Sequence, residues 1–215
     1  MADMAKRTLD VASSLAGLVL LFPLLVAVAL AIKLHDGGPV FYRGVRVGRY
    51  GRPFRIFKFR TLVLDAEKLG GPSTAGDDPR LTRLGKTLRR YKLDELPQLL
   101  NVLTGEMSLV GPRPEVQQYV DLYNEKEKVI LTVMPGITDW ASLWNSDEAA
   151  VLAGSPDPEK TYLENIRPEK IRLQLEYVRT RSLWADLGIL AQTLAAVVFR
   201  KESPAMAAIN GRRVT

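Results

Sequence analysis

The sequence predicts a mostly helical α/β protein. A membrane-inserted N-terminal helix carries a compact cytoplasmic domain with a short basic β-hairpin and amphipathic interfacial helices. Three observations lead there. The 22 residues from Val11 to Ile32 contain no charged side chain, and about 20 apolar residues suffice for a helix to cross a bilayer. Phe41 to Arg60 alternates apolar and basic residues between Gly44, Gly48, Gly51 and Pro53, the punctuation of short strands and turns. Beyond Leu81, apolar residues recur mainly at helical spacing.

The apolar run has a proline, Pro23, at its centre. Proline removes a backbone donor and clashes with the preceding turn, so a kink is expected there. Each half is about a dozen residues, too short to cross a bilayer alone at about 1.5 Å per residue. Lys6 and Arg7 precede the run and Lys33 follows it. Cations on both flanks fit a helix–break–helix that enters and leaves on one face better than a kinked single span. Two other readings compete. Ala27-Val28-Ala29 mimics a signal cleavage site, but a signal's apolar region is only about 7–15 residues. A buried helix of a soluble core would also be apolar.

In the basic stretch, cations recur at Arg43, Arg46, Arg49, Arg52, Arg55, Lys58 and Arg60 with no acid between them. Such a row can be a solvated edge that discourages strand pairing. Period two places Lys58 and Arg60 on one strand face, between Phe57 and Phe59, and this pair is the candidate anion site. Residues 70–80 read as a loop, and Leu81 to Lys92 as a basic amphipathic helix. From Asp94 the series Leu96, Leu99, Leu100 and Leu103 follows helical spacing, and Gly105 is a natural stop. Pro97 is tolerated only in a first turn, so this helix is expected to begin close to Asp94. A helix is expected from Val116 to Val133, ended by Met134-Pro135-Gly136, and residues 154–158 form a loop. Two closing helices are expected over Pro168 to Arg181 and Ser182 to Lys201. The second carries Leu183, Trp184, Leu187, Leu190, Leu194 and Val198, a pattern that suits core packing or a membrane interface. The domain reading is residues 1–36 in the membrane, 37–201 a cytoplasmic domain, and 202–215 a loose tail.

Composition narrows the chemistry. The 215 residues carry a net charge of +6. Residues 1–92 hold 17 Lys and Arg against 7 Asp and Glu, while 93–215 hold 13 against 17, so an anionic partner is expected for the first half. The absence of cysteine excludes disulfides and thiolate metal sites and suits a reducing compartment. A single histidine, His35, argues against a histidine-based triad or zinc cluster. Carboxylates and cations must do the work of any enzyme built from this chain.

The stretch "LDELPQLLNVLTGEMSLVGPRPE", residues 93–115, gathers them. A helix start carries unpaired N–H groups and partial positive charge, and so binds phosphate and favours an ionised carboxylate. An ionised Asp94 beside a phosphoryl group can act as a nucleophile. Asp94 and Glu95 can also offer oxygens to Mg²⁺, which takes one or two carboxylates plus substrate phosphates. Pro112 and Pro114 fix φ on both sides of Arg113, whose guanidinium can neutralise phosphate charge. On these residues alone, Asp94 as a plain helix cap and Arg113 as a loop decoration is the leading reading, and the catalytic one stays open beside it. So does a non-enzymatic alternative, a membrane-anchored module that binds nucleic acid through the aromatic and basic 41–60 stripe.

The chain resembles the bacterial sugar transferase family, the monotopic phosphoglycosyl transferases. The matching stretches are "KRTLD" at 6–10, the proline-broken apolar segment, "FKFRT" at 57–61, "DELPQLLNVLTGEMSLVGPRPE" at 94–115 and "PGIT" at 135–138. The resemblance implies transfer of a phosphosugar from a UDP-sugar to a polyprenyl phosphate such as undecaprenyl phosphate. UMP is released and surface glycan assembly begins at the cytoplasmic membrane, with no nucleic acid involved. It implies Asp94 as a nucleophile forming a covalent phosphosugar intermediate, with Glu95 as its partner at a Mg²⁺ site. Arg113, Lys58 and Arg60 would bind phosphate, and Lys6, Arg7, Asp10 and Pro23 would set the membrane entry. Two positions depart from the family pattern. Phe22 stands before the membrane proline where serine is frequent, and Asp139-Trp140-Ala141-Ser142 follows "PGIT" in place of Gly-x-Ala-Gln.

Overall fold

The computed structural model describes residues 2–71, 73–199 and 205. It is mostly helical, with one long apolar N-terminal helix and a few short strands. Helix α1 (Ala2–Asp36) is long and apolar enough to cross a membrane. The helical assignment continues through Pro23, which lies inside α1 rather than between two separate helices.

One stripe of α1 is covered along its whole length. Asp10, Ser14, Gly17, Leu21, Leu25, Val28 and Ile32, spaced by three or four residues, are buried or half-buried, the repeat of a single helical face. The remaining faces expose Leu15, Val19, Leu20, Phe22, Leu30 and Leu34. A helix of this length measures about 52 Å, and both of its ends are tied to the rest of the chain. Near the start, Lys6 Nζ donates to Val110 O (3.0 Å) and pairs with Asp186. Arg7 donates to Val102 O (2.6 Å) and Leu103 O (3.0 Å). Asp10 accepts from Ser108 Oγ (2.8 Å) and Leu109 N (3.1 Å). Near the end, Val28 and Ile32 pack against Phe59 and Leu88, and Asp36 takes the Arg60 guanidinium (2.7 Å to Nη1).

The stretch after α1 folds back on itself. Strand β1 (Phe41–Tyr42) pairs antiparallel with β4 (Lys58–Phe59), and β2 (Val45–Val47) with β3 (Pro53–Arg55). Of the interleaved aromatics, Phe54 and Phe59 are buried, and Arg43 lies over the Phe57 ring at 3.3 Å, while Phe41 and Tyr50 are exposed. Phe54 and Phe59 therefore offer no open face on which a base could stack.

Helix α2 (Arg83–Arg90) starts at a Thr82 cap, whose hydroxyl accepts from Gly85 N (2.8 Å). Helix α3 (Gln98–Thr104) begins four residues later than expected, and Asp94 and Glu95 sit on a preceding 3₁₀ turn, Leu93–Glu95. The reason is Pro97: it has no N–H to donate back to Leu93, so the α ladder cannot extend upstream through it. The turn closes instead through Leu96 N to Leu93 O (3.3 Å). Gly105 ends α3 at φ +84°, a conformation glycine adopts without penalty.

Strand β5 (Ser108–Val110) and β6 (Gly136–Thr138) form a parallel pair. Beyond β5 the backbones at Gly111 and Gly136 touch, so a Cβ on either would collide with the other strand. The single helix expected over Val116 to Val133 is two pieces, α4 (Gln117–Val120) and a 3₁₀ stretch Glu127–Thr132. Asn124 and Glu127 explain the break. Asn124 Oδ1 accepts from Lys126 N (2.9 Å) and Glu127 N (3.1 Å), and Glu127 Oε2 accepts from Asn124 N (3.1 Å), a reciprocal cap that starts a new turn. Short helices α5 (Trp140–Trp144), α6 (Glu148–Leu152) and α7 (Pro158–Thr161) follow, capped by Asp139, Asp147 and Asp157.

Helices α8 (Arg167–Thr180) and α9 (Leu183–Phe199) close the fold. The main core joins Phe54, Ile56, Val102, Met107, Leu109, Val110, Tyr177 and Ile189. Helix α9 packs into the core on one side, where Asp186 and Ile189 are buried, while Trp184, Leu194, Val198 and Phe199 are exposed. Of the segment expected to be a loose tail, only Ala205 is described, and it is buried with Tyr119, Leu152 and Tyr162; the rest lies outside the described residues.

Candidate active site

The turn carrying Asp94 and Glu95 is held between β4 and α2. It is entered through Lys92, whose φ of +56° is left-handed, an uncommon state for a residue with a Cβ. Glu95 meets Lys58 from β4, Nζ to Oε1 at 2.9 Å. It also meets Arg113, whose Nη1 donates to Oε2 at 3.0 Å while Nη2 pairs with Oε1. This is the two-pronged fork that arginine makes with carboxylates. Arg113 is fixed from behind as well. Its Nη1 donates to Ile137 O (3.3 Å) and its backbone N to Asp139 Oδ2 (3.3 Å).

Asp94 is buried, and its Oδ1 has no hydrogen-bond partner. Burial and then the Glu95 carboxylate push Asp94 above the usual carboxylate range; Lys58, Arg89 and Lys92 oppose this only in part. Glu95 moves the other way. Burial alone would raise it, but the Arg113 and Lys58 cations outweigh burial and hold it well below the usual range. Burial pulls Lys58 down despite Glu95. Arg113 is pushed up, because Glu95 outweighs its burial. Two adjacent acids therefore hold different states: one neutralised by cations, the other unsatisfied.

Of the residues expected here, Lys58, Asp94, Glu95 and Arg113 come together. Arg60 does not. β4 ends at Phe59, and the Arg60 guanidinium turns to Asp36 and to Pro39 O (2.7 Å) at the end of α1. Lys6, Arg7 and Asp10, expected at the membrane entry, join α1 to β5, the end of α3 and α9. The Arg7 contacts fall on the last carbonyls of α3, where a cation suits the helix dipole.

Two contributors were not singled out from the sequence. Arg89, near the end of α2, faces the acids and anchors on Thr61 Oγ1 (3.0 Å); its only signal was membership of the "LRRYK" run. Asp139 is fully buried. It caps α5 through Ser142 N (2.6 Å), accepts from Gln174 Nε2 (3.3 Å), and holds the Arg113 backbone. The departure from the family pattern at 139–142 thus contains a structural brace for Arg113. Among the described residues, no group of three or more His, Asp or Glu side chains gathers as a metal cage.

The sequence matches the bacterial sugar transferase family over residues 1–200. It is 36% identical over 196 residues to a UDP-N-acetylgalactosamine-undecaprenyl-phosphate N-acetylgalactosaminephosphotransferase of Aeromonas hydrophila. It is 40% identical over 205 residues to an undecaprenyl-phosphate glucose phosphotransferase of Komagataeibacter xylinus. These alignments cover 90% and 92% of this chain but only 43% and 36% of the relatives. An exopolysaccharide production protein of Rhizobium meliloti is 35% identical over 215 residues, 93% of this chain and 88% of that protein.

Proposed function

The chain belongs to the bacterial sugar transferase family, and from that premise we propose that it moves a sugar-1-phosphate from a UDP-sugar to a polyprenyl phosphate such as undecaprenyl phosphate. The observation that carries the proposal is Asp94: buried, with a free oxygen, beside a Lys58–Glu95–Arg113 cluster. A group so costly to bury is expected to have a partner that arrives with the substrate.

The chemistry follows in two steps. An Asp94 oxygen bonds to the sugar-bearing phosphorus, the bond from that phosphorus to the bridging oxygen breaks, and the electron pair leaves with UMP. A polyprenyl phosphate oxygen then bonds to the same phosphorus, and Asp94 leaves as its carboxylate. Lys58, Arg89 and Arg113 supply positive charge around an approach of anion to anion. Glu95 holds Lys58 and Arg113 in place.

Magnesium is part of the proposal. Three donors occupy Glu95, and a carboxylate offers about four lone-pair sites, so one remains open. Asp94 and Glu95 would hold the ion together with phosphate oxygens of the donor, where it would neutralise diphosphate charge.

The topology belongs to the same reading. Both ends of α1 are fastened to one body, and the uncovered faces between them are apolar. That arrangement suits entry and exit on the cytoplasmic face of the cytoplasmic membrane, with Pro23 deepest, and fits poorly a span that ends on the opposite side. Cysteines replacing Ala2 and Gly38 should react with an impermeant thiol reagent only in inverted vesicles; labelling of the Ala2 position in intact cells contradicts this course.

The activity is tested by screening UDP-sugars for UMP release in detergent with Mg²⁺. Before acceptor is added, about one UMP per active site should appear, followed by turnover when polyprenyl phosphate is supplied. Asp94→Asn should abolish both phases, and release that requires the acceptor from the outset would contradict the two-step scheme.

A further inference from the structure

The fully buried amides of α3 are of two kinds. Asn101 is satisfied: Nδ2 donates to Arg55 O (3.0 Å) and Glu106 Oε2 (2.7 Å), and Oδ1 accepts from Phe57 N (2.8 Å). It ties α3 to the strands. Gln98, about one turn earlier, is equally inaccessible, yet neither Nε2 nor Oε1 has a partner. An apolar side chain of the same shape would serve packing better, because a buried unpaired amide loses its hydration and gains nothing. A packing role therefore does not account for glutamine at this position.

Its place in the chain suggests what does. The backbone is helical from Leu93 through Leu96 and Pro97 into α3, so Asp94 and Gln98 lie about one turn apart on the same side. Asp94 Oδ1 is also buried and unpartnered. Two orphaned groups of matching chemistry, a carboxylate acceptor and an amide donor, thus stand at helical spacing. We infer that Gln98 is a positioning residue for the transfer, its Nε2 donating to the Asp94 oxygen that is not bonded to phosphorus once the enzyme is loaded. The inference rests on the reading of Asp94 as nucleophile.

The role should differ between the half-reactions. In loading, the amide would orient a carboxylate that already exists. In discharge, the acceptor phosphate oxygen bonds to phosphorus, the phosphorus–Asp94 bond breaks, and the electron pair returns to Asp94. A donor on the second oxygen strengthens as that charge develops, which favours the transition state over the loaded ground state. Discharge should therefore depend on Gln98 more than loading does.

The test uses the full chain in detergent with Mg²⁺, a UDP-sugar that gives UMP release, and polyprenyl phosphate. Wild type is compared with Gln98→Leu and with Gln98→Met, whose flexible chain fills irregular space. Four quantities are read: UMP burst amplitude, the rate of discharge when loaded enzyme meets acceptor, acceptor KM, and the unfolding temperature. The expected result is a burst amplitude still near one per site, an unfolding temperature equal to wild type or higher, and an unchanged acceptor KM. Discharge should slow about 10- to 100-fold, the range of one hydrogen bond to a charged group, so that phosphosugar-loaded enzyme accumulates during turnover. A folded variant that discharges at the wild-type rate overturns the inference and leaves the nucleophile reading intact. Loss of stability in both variants, with burst amplitude falling in step, indicates packing and also overturns it. A wild type that shows no burst overturns the covalent reading and the Gln98 inference together.

Discussion

Glu115 is a largely covered carboxylate and Asp94 a buried one, but their surroundings are opposite. Glu115, directly after the Pro112-Arg113-Pro114 element, pairs with Lys170 of α8 and accepts from Tyr162 Oη at 3.0 Å; Lys170 also donates to Tyr162 Oη at 3.1 Å. Burial would raise Glu115, yet Lys170 and these hydrogen bonds hold it below the usual range. Asp94 has no such closure: one oxygen is bare, and burial with a second carboxylate pushes it up. One region has its polar groups matched by the chain itself. The other keeps an unmatched group at the centre of its cations. A satisfied buried network holds the fold together, and the unsatisfied Asp94 is where the proposed substrate would complete the structure.

Breaking the matched region should have the largest effect on stability. Glu115→Gln leaves the Lys170 ammonium buried without its counter-ion, and should cost about 3–5 kcal/mol in denaturant unfolding. The pH dependence has a definite sign. Because Glu115 is held below its unfolded value, its contribution is full above the ordinary carboxylate range and is lost as pH falls from that range through the lowered value of the folded chain. The stability gap between wild type and Glu115→Gln should therefore narrow at acid pH. A gap that widens on acidification would mean that the pair is not what stabilises this region.

The α1 joint comes next. Arg7→Ala removes the cation from the last carbonyls of α3 and should cost about 1–3 kcal/mol, with looser attachment of α1 detected as faster proteolysis between α1 and β1. Unchanged stability would mean that apolar contacts alone dock the helix.

The smallest shift has the opposite sign. Asp94→Asn removes a buried charge from beside Glu95, so the variant should melt higher than wild type while losing activity. Each 1 kcal/mol of relief corresponds to about 2–4 °C for a chain of this size. A lower melting point would mean that Asp94 has a structural partner after all, and the contrast with Glu115 would fail.

Legibility in the sequence followed the range of the interactions. The apolar run, the stop at Gly105 and the gathering of Asp94, Glu95 and Arg113 rest on local chemistry or on one dense motif, and each was readable. The reciprocal cap at Asn124 and Glu127 was just as local, but an apolar helical pattern running across it concealed the break. The parallel pairing of Ser108–Val110 with Gly136–Thr138 could not be read, since three-residue strands carry almost no periodicity. Arg60 misled for a different reason. Strand period grouped it with Lys58, but β4 stops one residue short, and the returning end of α1 supplies Asp36 as a nearer partner. Which cation reaches the site was decided by a tertiary contact between distant segments. Gln98 lies in the same motif as the acids, yet its orphaned state exists only in the folded chain.

The most direct test of the contrast is the mass of the enzyme quenched after UDP-sugar alone, followed by peptide mapping. The expected result is a mass increase of one phosphosugar, located on Asp94 in the peptide that also carries Glu95 and Gln98, and its disappearance when polyprenyl phosphate is added. An unmodified Asp94, or a phosphosugar on any other side chain, would contradict it.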